Sequence, residues 1–184
     1  MRPVAFDYRR AESLEHALSL VAEFGYDATP LAGGQSLVPM MNLRYARPEV
    51  LIDINRIGCD EIAVEPEEIK LGALVRHRAV LEHPDIHRAA PVIREAYRHL
   101  AHPVIRQRGT AGGSIAYADP TAEIPALLML LDGRITLDST AGERSVEAAD
   151  FFRSAFTTAI EPTELVTGLA FRLPAGPWGG AFDE

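Results

Sequence analysis

The chain has 184 residues, a formal net charge of −8, and 47% apolar against 24% charged residues. That balance suits a soluble globular protein with enough chain for one large domain or two small ones. Of eighteen basic residues only Lys70 is lysine, and the arginines are scattered, which argues against a nucleic-acid partner. The N-terminal stretch MRPVAFDYRRAES has no apolar core, and no run of eighteen apolar residues follows, so neither a signal peptide nor a membrane span is expected. Leu14, Ala17, Leu18, Val21 and Ala22 recur at helical spacing, with Ser13 as cap and Gly25 beyond the end. A short strand at 29-TPL-31 leads into 32-AGGQS-36, and 37–48 has room for a short helix. Strand-like runs 50-VLIDI-54 and 69-IKLGALV-75 flank an acidic turn at 65-EPEE-68. Helices are predicted over 89–100, with Ala89, Val92, Ile93, Ala96 and Leu100 on one face, and over 122–131. Pro125 fits the second of these near its start, where its missing N–H is not needed. Strands follow at 134–139, 144–149 and 164–173. Cys59 is the single cysteine, so the chain closes no internal disulfide and offers no set of thiolates to a cluster or zinc site. A cytoplasmic protein is expected.

A compositional break near residues 55–61 divides a small α/β unit, 1–56, from a larger α+β unit, 57–184. Each unit carries one glycine-rich stretch, 32-AGGQS-36 and 109-GTAGGS-114, and both are read as loops. Glycine permits close backbone approach, and a run of exposed amide N–H groups forms a nest that holds an anion without a charged side chain. Ser36, Thr110 and Ser114 add hydroxyls. Two such loops facing across a cleft would hold a pyrophosphate. A Walker-type loop and a GxGxxG dinucleotide fingerprint are both absent.

The stretches 32-AGGQSLVPMM-41 and 105-IRQRGTAGGSIAYADP-120 carry a specific resemblance. They are similar to the two flavin motifs of the FAD-binding medium subunit of molybdenum hydroxylases, of the aerobic carbon monoxide dehydrogenase and xanthine dehydrogenase type. Supporting similarity lies in 51-LIDINRI-57, 71-LGALVRH-77 and 160-IEPTELVTGLAFRLP-174, so the resemblance covers essentially the whole chain. It implies an α+β, two-subdomain FAD-binding fold of the vanillyl-alcohol oxidase and p-cresol methylhydroxylase type. FAD would lie between the subdomains. By motif match, Ala32, Gly33, Gly34, Gln35 and Ser36 form the first cofactor loop, and Thr110, Ala111, Gly112, Gly113 and Ser114 the second. Ala101 would pass beside the flavin ring, Asp119 would bond the adenosine side, and Ile160 and Leu165 would return to the isoalloxazine.

The resemblance further implies an oxidoreductase subunit without catalytic acid, base or nucleophile of its own. A large partner subunit would carry the molybdenum cofactor and a small one the iron–sulfur clusters, with electrons passing through FAD to an external acceptor. The sequence departs from the family pattern at Ala111, where a branched residue is usual, and at Tyr117, where a small polar one is common. It stops at Glu184, before the C-terminal domain of the family, so activity is expected only with partners and FAD is expected to be held more weakly. The alternative reading is a truncated, non-catalytic module of the same fold that serves assembly or binding without flavin.

Other features have plainer readings. His83 and His87, and His99 and His102, match metal spacings, but no cysteine or acidic cluster completes a site, so no metal is expected. Met40 and Met41 are ordinary core fillers or ring contacts. Arg106 and Arg108 either reach a phosphate or are solvated, and Asp119-Pro120 is equally a helix-entry signal.

Overall fold

The computed structural model describes residues 2–183. Strand β1 (Asp7–Arg10) comes first, exposed at every position, so it offers no apolar alternation by which a sequence reading could find it. Helix α1 (Leu14–Phe24) follows as predicted. The Ser13 hydroxyl accepts the His16 N–H at 3.2 Å, Gly25 ends the helix at φ +51°, and Ala17, Leu18, Leu20 and Val21 are buried. Strand β2 (Ala28–Leu31), helix α2 (Leu37–Asn42) and strand β3 (Val50–Asp53) complete the first unit. The strands form a parallel sheet in the order β1-β3-β2, with Leu51 between Tyr8 and Thr29. Helix α1 covers one face of it. Leu74 and Leu165, from much later in the chain, complete that small core.

Strand β4 (Ile62–Val64), which sequence reading missed, pairs around the acidic turn with β5 (Glu68–Gly72). The expected strand over 69–75 ends at Gly72. Beyond it Ala73 and Leu74 donate their N–H groups to Thr167 and Cys59 and leave the ladder with β4. Six helices follow: α3 (His77–Glu82), α4 (Pro84–Ala89), α5 (Pro91–His99), α6 (Pro103–Arg106), α7 (Ala111–Tyr117) and α8 (Glu123–Leu130). The single helix expected over 89–100 is therefore α5 alone, starting at Pro91. Proline begins α4, α5 and α6, because a first-turn residue needs no N–H and its φ is already helical. In α8 Pro125 is the third residue, as its missing donor requires.

The chain ends in β6 (Arg134–Ser139), β7 (Gly142–Glu147), a short helix α9 (Ala148–Phe151), the small hairpin of β8 (Phe152–Ser154) and β9 (Thr157–Thr158), and β10 (Leu165–Arg172). The second sheet runs β4-β5-β10-β6-β7, antiparallel throughout. Strand β10 is its centre, buried at every position but Gly168 and the terminal Arg172, which accounts for its nearly continuous apolar run. Helices α7 and α8 pack on this sheet and α5 packs on α8, around Tyr97, Ile115, Leu128 and Phe171. Among the described residues no helix is long and apolar enough to cross a membrane.

Candidate functional site

The first glycine-rich stretch leaves β2 at Leu31 and turns through Gly34, at φ +71°, into α2. Asn55 holds its start: the side-chain amide donates to the carbonyls of Leu31 and Ala32 at 3.2 and 2.9 Å. Among the described residues, the amide N–H groups of Gly33, Gly34, Gln35 and Ser36 find no protein acceptor. This segment is an open nest. Gly33 has no room for a side chain. A Cβ there would stand 2.3 Å from the Arg108 carbonyl oxygen and 2.8 Å from Gly109 Cα. The two motifs thus touch backbone to backbone.

The second stretch is not a loop, and this corrects the sequence reading. Thr110 caps α7, its hydroxyl accepting the Gly113 N–H at 3.1 Å, and Ala111 to Ser114 form the first turn of that helix. Their N–H groups are all used: Ala111 donates to Val75, Gly112 to Ala73 and Ser114 to Thr110. The helix lies so close to the end of β5 that a Cβ on Gly112 would meet Ala73 Cβ at 2.5 Å. A small residue is required at Gly112 because the helix packs so closely on its neighbour there, whereas Gly113 and Ser114 line the cavity described next. What the second motif presents is the Ser114 hydroxyl.

These elements enclose a cavity of about 660 Å³ with mostly apolar walls, in the usual range for small-molecule sites. Of the expected residues, Ala32, Gly33, Gly34, Gln35, Ser36, Ala101, Thr110, Gly112, Gly113, Ser114, Asp119, Ile160 and Leu165 all line it. Ala111 does not: its side chain is fully buried beneath the helix, away from the cavity. Met40 lines the cavity and receives the Tyr117 hydroxyl on Sδ at 3.5 Å, whereas Met41 is core. Asp119 caps no helix, since α8 starts at Glu123 with Ala122 before it. Its Oδ1 accepts both the N–H and the hydroxyl of Thr121, at 2.9 and 2.8 Å.

Three residues hold the site together, and sequence reading passed over two of them, Arg76 and His77. Arg76 reaches across both motifs: Nη1 donates to the Arg108 carbonyl at 2.7 Å and Nη2 to Asn55 Oδ1 at 2.6 Å. Arg106, half-buried, turns to the backbone. It donates to the carbonyls of Leu100 and Ala101 at 2.8 and 2.9 Å, fixing the turn in which Ala101 takes φ +45°. His77, 3% exposed, lines the cavity beside Ser114. Arg76 and His77 end the quoted 71-LGALVRH-77 and Asn55 lies in 51-LIDINRI-57, so the signal was present as motif and unread as geometry. Among the described residues no three His, Cys, Asp or Glu gather to hold a metal ion. His83 instead caps α4 through the Ile86 N–H.

Burial, and behind it the charges of Arg76 and Arg106, lower the His77 pKa to about 4. In the unfolded chain an imidazole titrates near 6.5. The unfolded state therefore takes up this proton first as pH falls, and stability is lost from about pH 6.5 downward to pH 4. Between pH 7 and pH 5 the loss from this group is about 2 kcal/mol. Urea midpoints at the two pH values check it. The difference should shrink in His77→Phe, and an unchanged difference would remove His77 as its source.

The model of the FAD-binding domain in molybdopterin dehydrogenase matches residues 4–175. The alpha subunit of the 6-hydroxypseudooxynicotine dehydrogenase complex of Paenarthrobacter nicotinovorans is 45% identical, over 100% of this chain and 62% of that protein. The carbon monoxide dehydrogenase medium chain of Afipia carboxidovorans is 40% identical, over 99% of this chain and 63% of its own. Among solved structures, quinoline 2-oxidoreductase of Pseudomonas putida 86 superposes with a TM-score of 0.91 at 35% identity, over 95% of this chain and 61% of the other. The chain thus spans slightly less than two thirds of the length of these relatives.

Proposed function

The chain belongs to the family of FAD-binding domains of molybdopterin dehydrogenases, and from that premise we propose that its cavity holds FAD between two subdomains, residues 1–56 and 57–184. The observation that carries this reading is the row of four unpartnered amide N–H groups, Gly33 to Ser36, in the cavity that the Ser114 hydroxyl also lines. Such donors suit the diphosphate of a dinucleotide, which they can bind without a lysine or arginine. The apolar walls, with Leu31, Pro30, Met40, Leu100, Ile160 and Leu165, suit its flat rings. FAD, when bound, supplies the redox chemistry, and the residues of the chain bind and orient it and limit its contact with water.

The whole protein then acts as the electron-transferring flavoprotein subunit of a molybdenum hydroxylase. A small partner subunit with iron–sulfur clusters delivers electrons to it, a large partner subunit holds the molybdenum cofactor and the substrate, and an external acceptor takes the electrons away. The single cysteine fits this division, since the chain ligates no cluster itself. The chain alone should turn over no organic substrate or CO, and the cytoplasm is its proposed compartment.

The test is to purify the protein from its native source, identify the chains that accompany it, and record the absorption spectrum before and after denaturation. Flavin released as FAD supports the reading. A colourless protein that takes up no flavin would point instead to a module of the same fold serving assembly. A variant locates the adenosine end. Oδ1 of Asp119 is occupied by Thr121, which leaves Oδ2 for a ribose hydroxyl. Asp119→Ala should weaken FAD by about 1–3 kcal/mol and flavin mononucleotide much less. Equal losses in titrations with the two ligands would mean that Asp119 serves its turn only.

A further inference from the structure

We propose that His77 is a positioning residue for the anion held in this cavity: its Nε2–H donates to Ser114 Oγ and so turns the serine O–H toward the ligand. The inference rests on the reading of the cavity as a dinucleotide site. His77 begins α3, and its backbone N–H donates to the Gly109 carbonyl at 3.1 Å. The ring is wedged between the Tyr97 ring, at a centroid distance of 5.8 Å, and Gly109, where a Cβ would stand 2.7 Å from His77 Cδ2. It cannot turn over to exchange its nitrogens without displacing one of them.

The two nitrogens differ. Nε2 lies 3.2 Å from Ser114 Oγ, whereas Nδ1 is buried and has no partner. A neutral imidazole carries one N–H. Buried N–H groups without acceptors are rarer in folded proteins than unpaired acceptors. The proton therefore sits on Nε2, and Nδ1 keeps a bare lone pair. Ser114 Oγ must then accept from the histidine. Among the described residues its hydroxyl proton has no other acceptor, and Ser114 lines the cavity. A phosphate oxygen meets an O–H. In the other tautomer Ser114 would donate to Nε2 and present lone pairs to the anion, which would repel it.

Nitrogen NMR of the histidine-labelled chain tests the assignment without any ligand, with His77 identified by the signal missing from His77→Gln. The expected state at pH 7 is the Nε2–H tautomer, and an Nδ1–H tautomer overturns the proposal. Fluorescence titration with FAD and with riboflavin, which lacks phosphate, gives the second arm. Ser114→Ala and His77→Leu should each weaken FAD about tenfold, the span of one hydrogen bond, with riboflavin unchanged. The double variant should be no weaker than the poorer single one. His77→Gln, whose amide can donate from nearly the Nε2 position, should restore most of the affinity. Losses that multiply in the double variant, or that affect riboflavin equally, overturn the proposal. If the wild-type chain takes up no flavin at all, the proposed function fails, and the nitrogen spectrum still decides the tautomer.

Discussion

Gly33→Val will leave the protein without flavin and markedly less stable. The added Cβ would lie 2.3 Å from the Arg108 carbonyl oxygen and 2.8 Å from Gly109 Cα, where no side chain can rotate away. Backbone must move on one side or the other, so the two motifs separate. Overpacking a well-packed contact costs about 1–3 kcal/mol, and a clash against backbone belongs at the upper end or beyond. Sequence reasoning alone would place this side chain against the pyrophosphate. The geometry places it against protein, so Gly33→Ala should fail nearly as badly, since the first carbon already collides. Flavin content and the urea midpoint of both variants decide it. A Gly33→Ala protein with wild-type flavin and midpoint would show that the backbone junction is not what Gly33 serves.

Arg76→Met should weaken FAD by about tenfold and lower stability by about 2 kcal/mol. The guanidinium makes one charge-assisted bond to the Arg108 carbonyl and one to Asn55, and Asn55 in turn grips the carbonyls of Leu31 and Ala32. Hydrogen bonds to charged groups contribute about 1.5–3 kcal/mol each, and because Arg76 is only half-buried the low-end total of about 3 kcal/mol is discounted to about 2. Methionine keeps much of the chain length and loses both donors. The affinity loss follows because the open nest and Ser114 must stay in register to grip one ligand. A double-mutant cycle with Asn55→Ala should return a coupling near 1 kcal/mol. Strict additivity would mean that the two side chains do not act as one staple.

Much of the fold was legible where the chain forms its own local pattern. Ser13 and Gly25 bound α1, and the apolar face between them needs no distant partner to be recognised. The run at β10 reads as a strand because both of its faces are buried. Strand β1 did not, because its four residues are all exposed and only their pairing with β3 makes them a strand. Likewise α3 and α4 were hidden by Pro84, which reads as a breaker until its place at the first helical position is seen.

The sequence by itself determined the family, because both motifs combine many residue types at set spacings, and it named thirteen of the cavity's lining residues. Tertiary structure alone decided which motif keeps its amide groups free. In the first stretch no acceptor among the described residues takes the N–H groups of Gly33 to Ser36. In the second, Val75 and Ala73, more than thirty residues earlier in the chain, take the donors of Ala111 and Gly112, so the same kind of residues become a helix with Ala111 facing inward. The difference lies in which carbonyls the fold brings within hydrogen-bonding distance, and spacing along the chain carries no record of that.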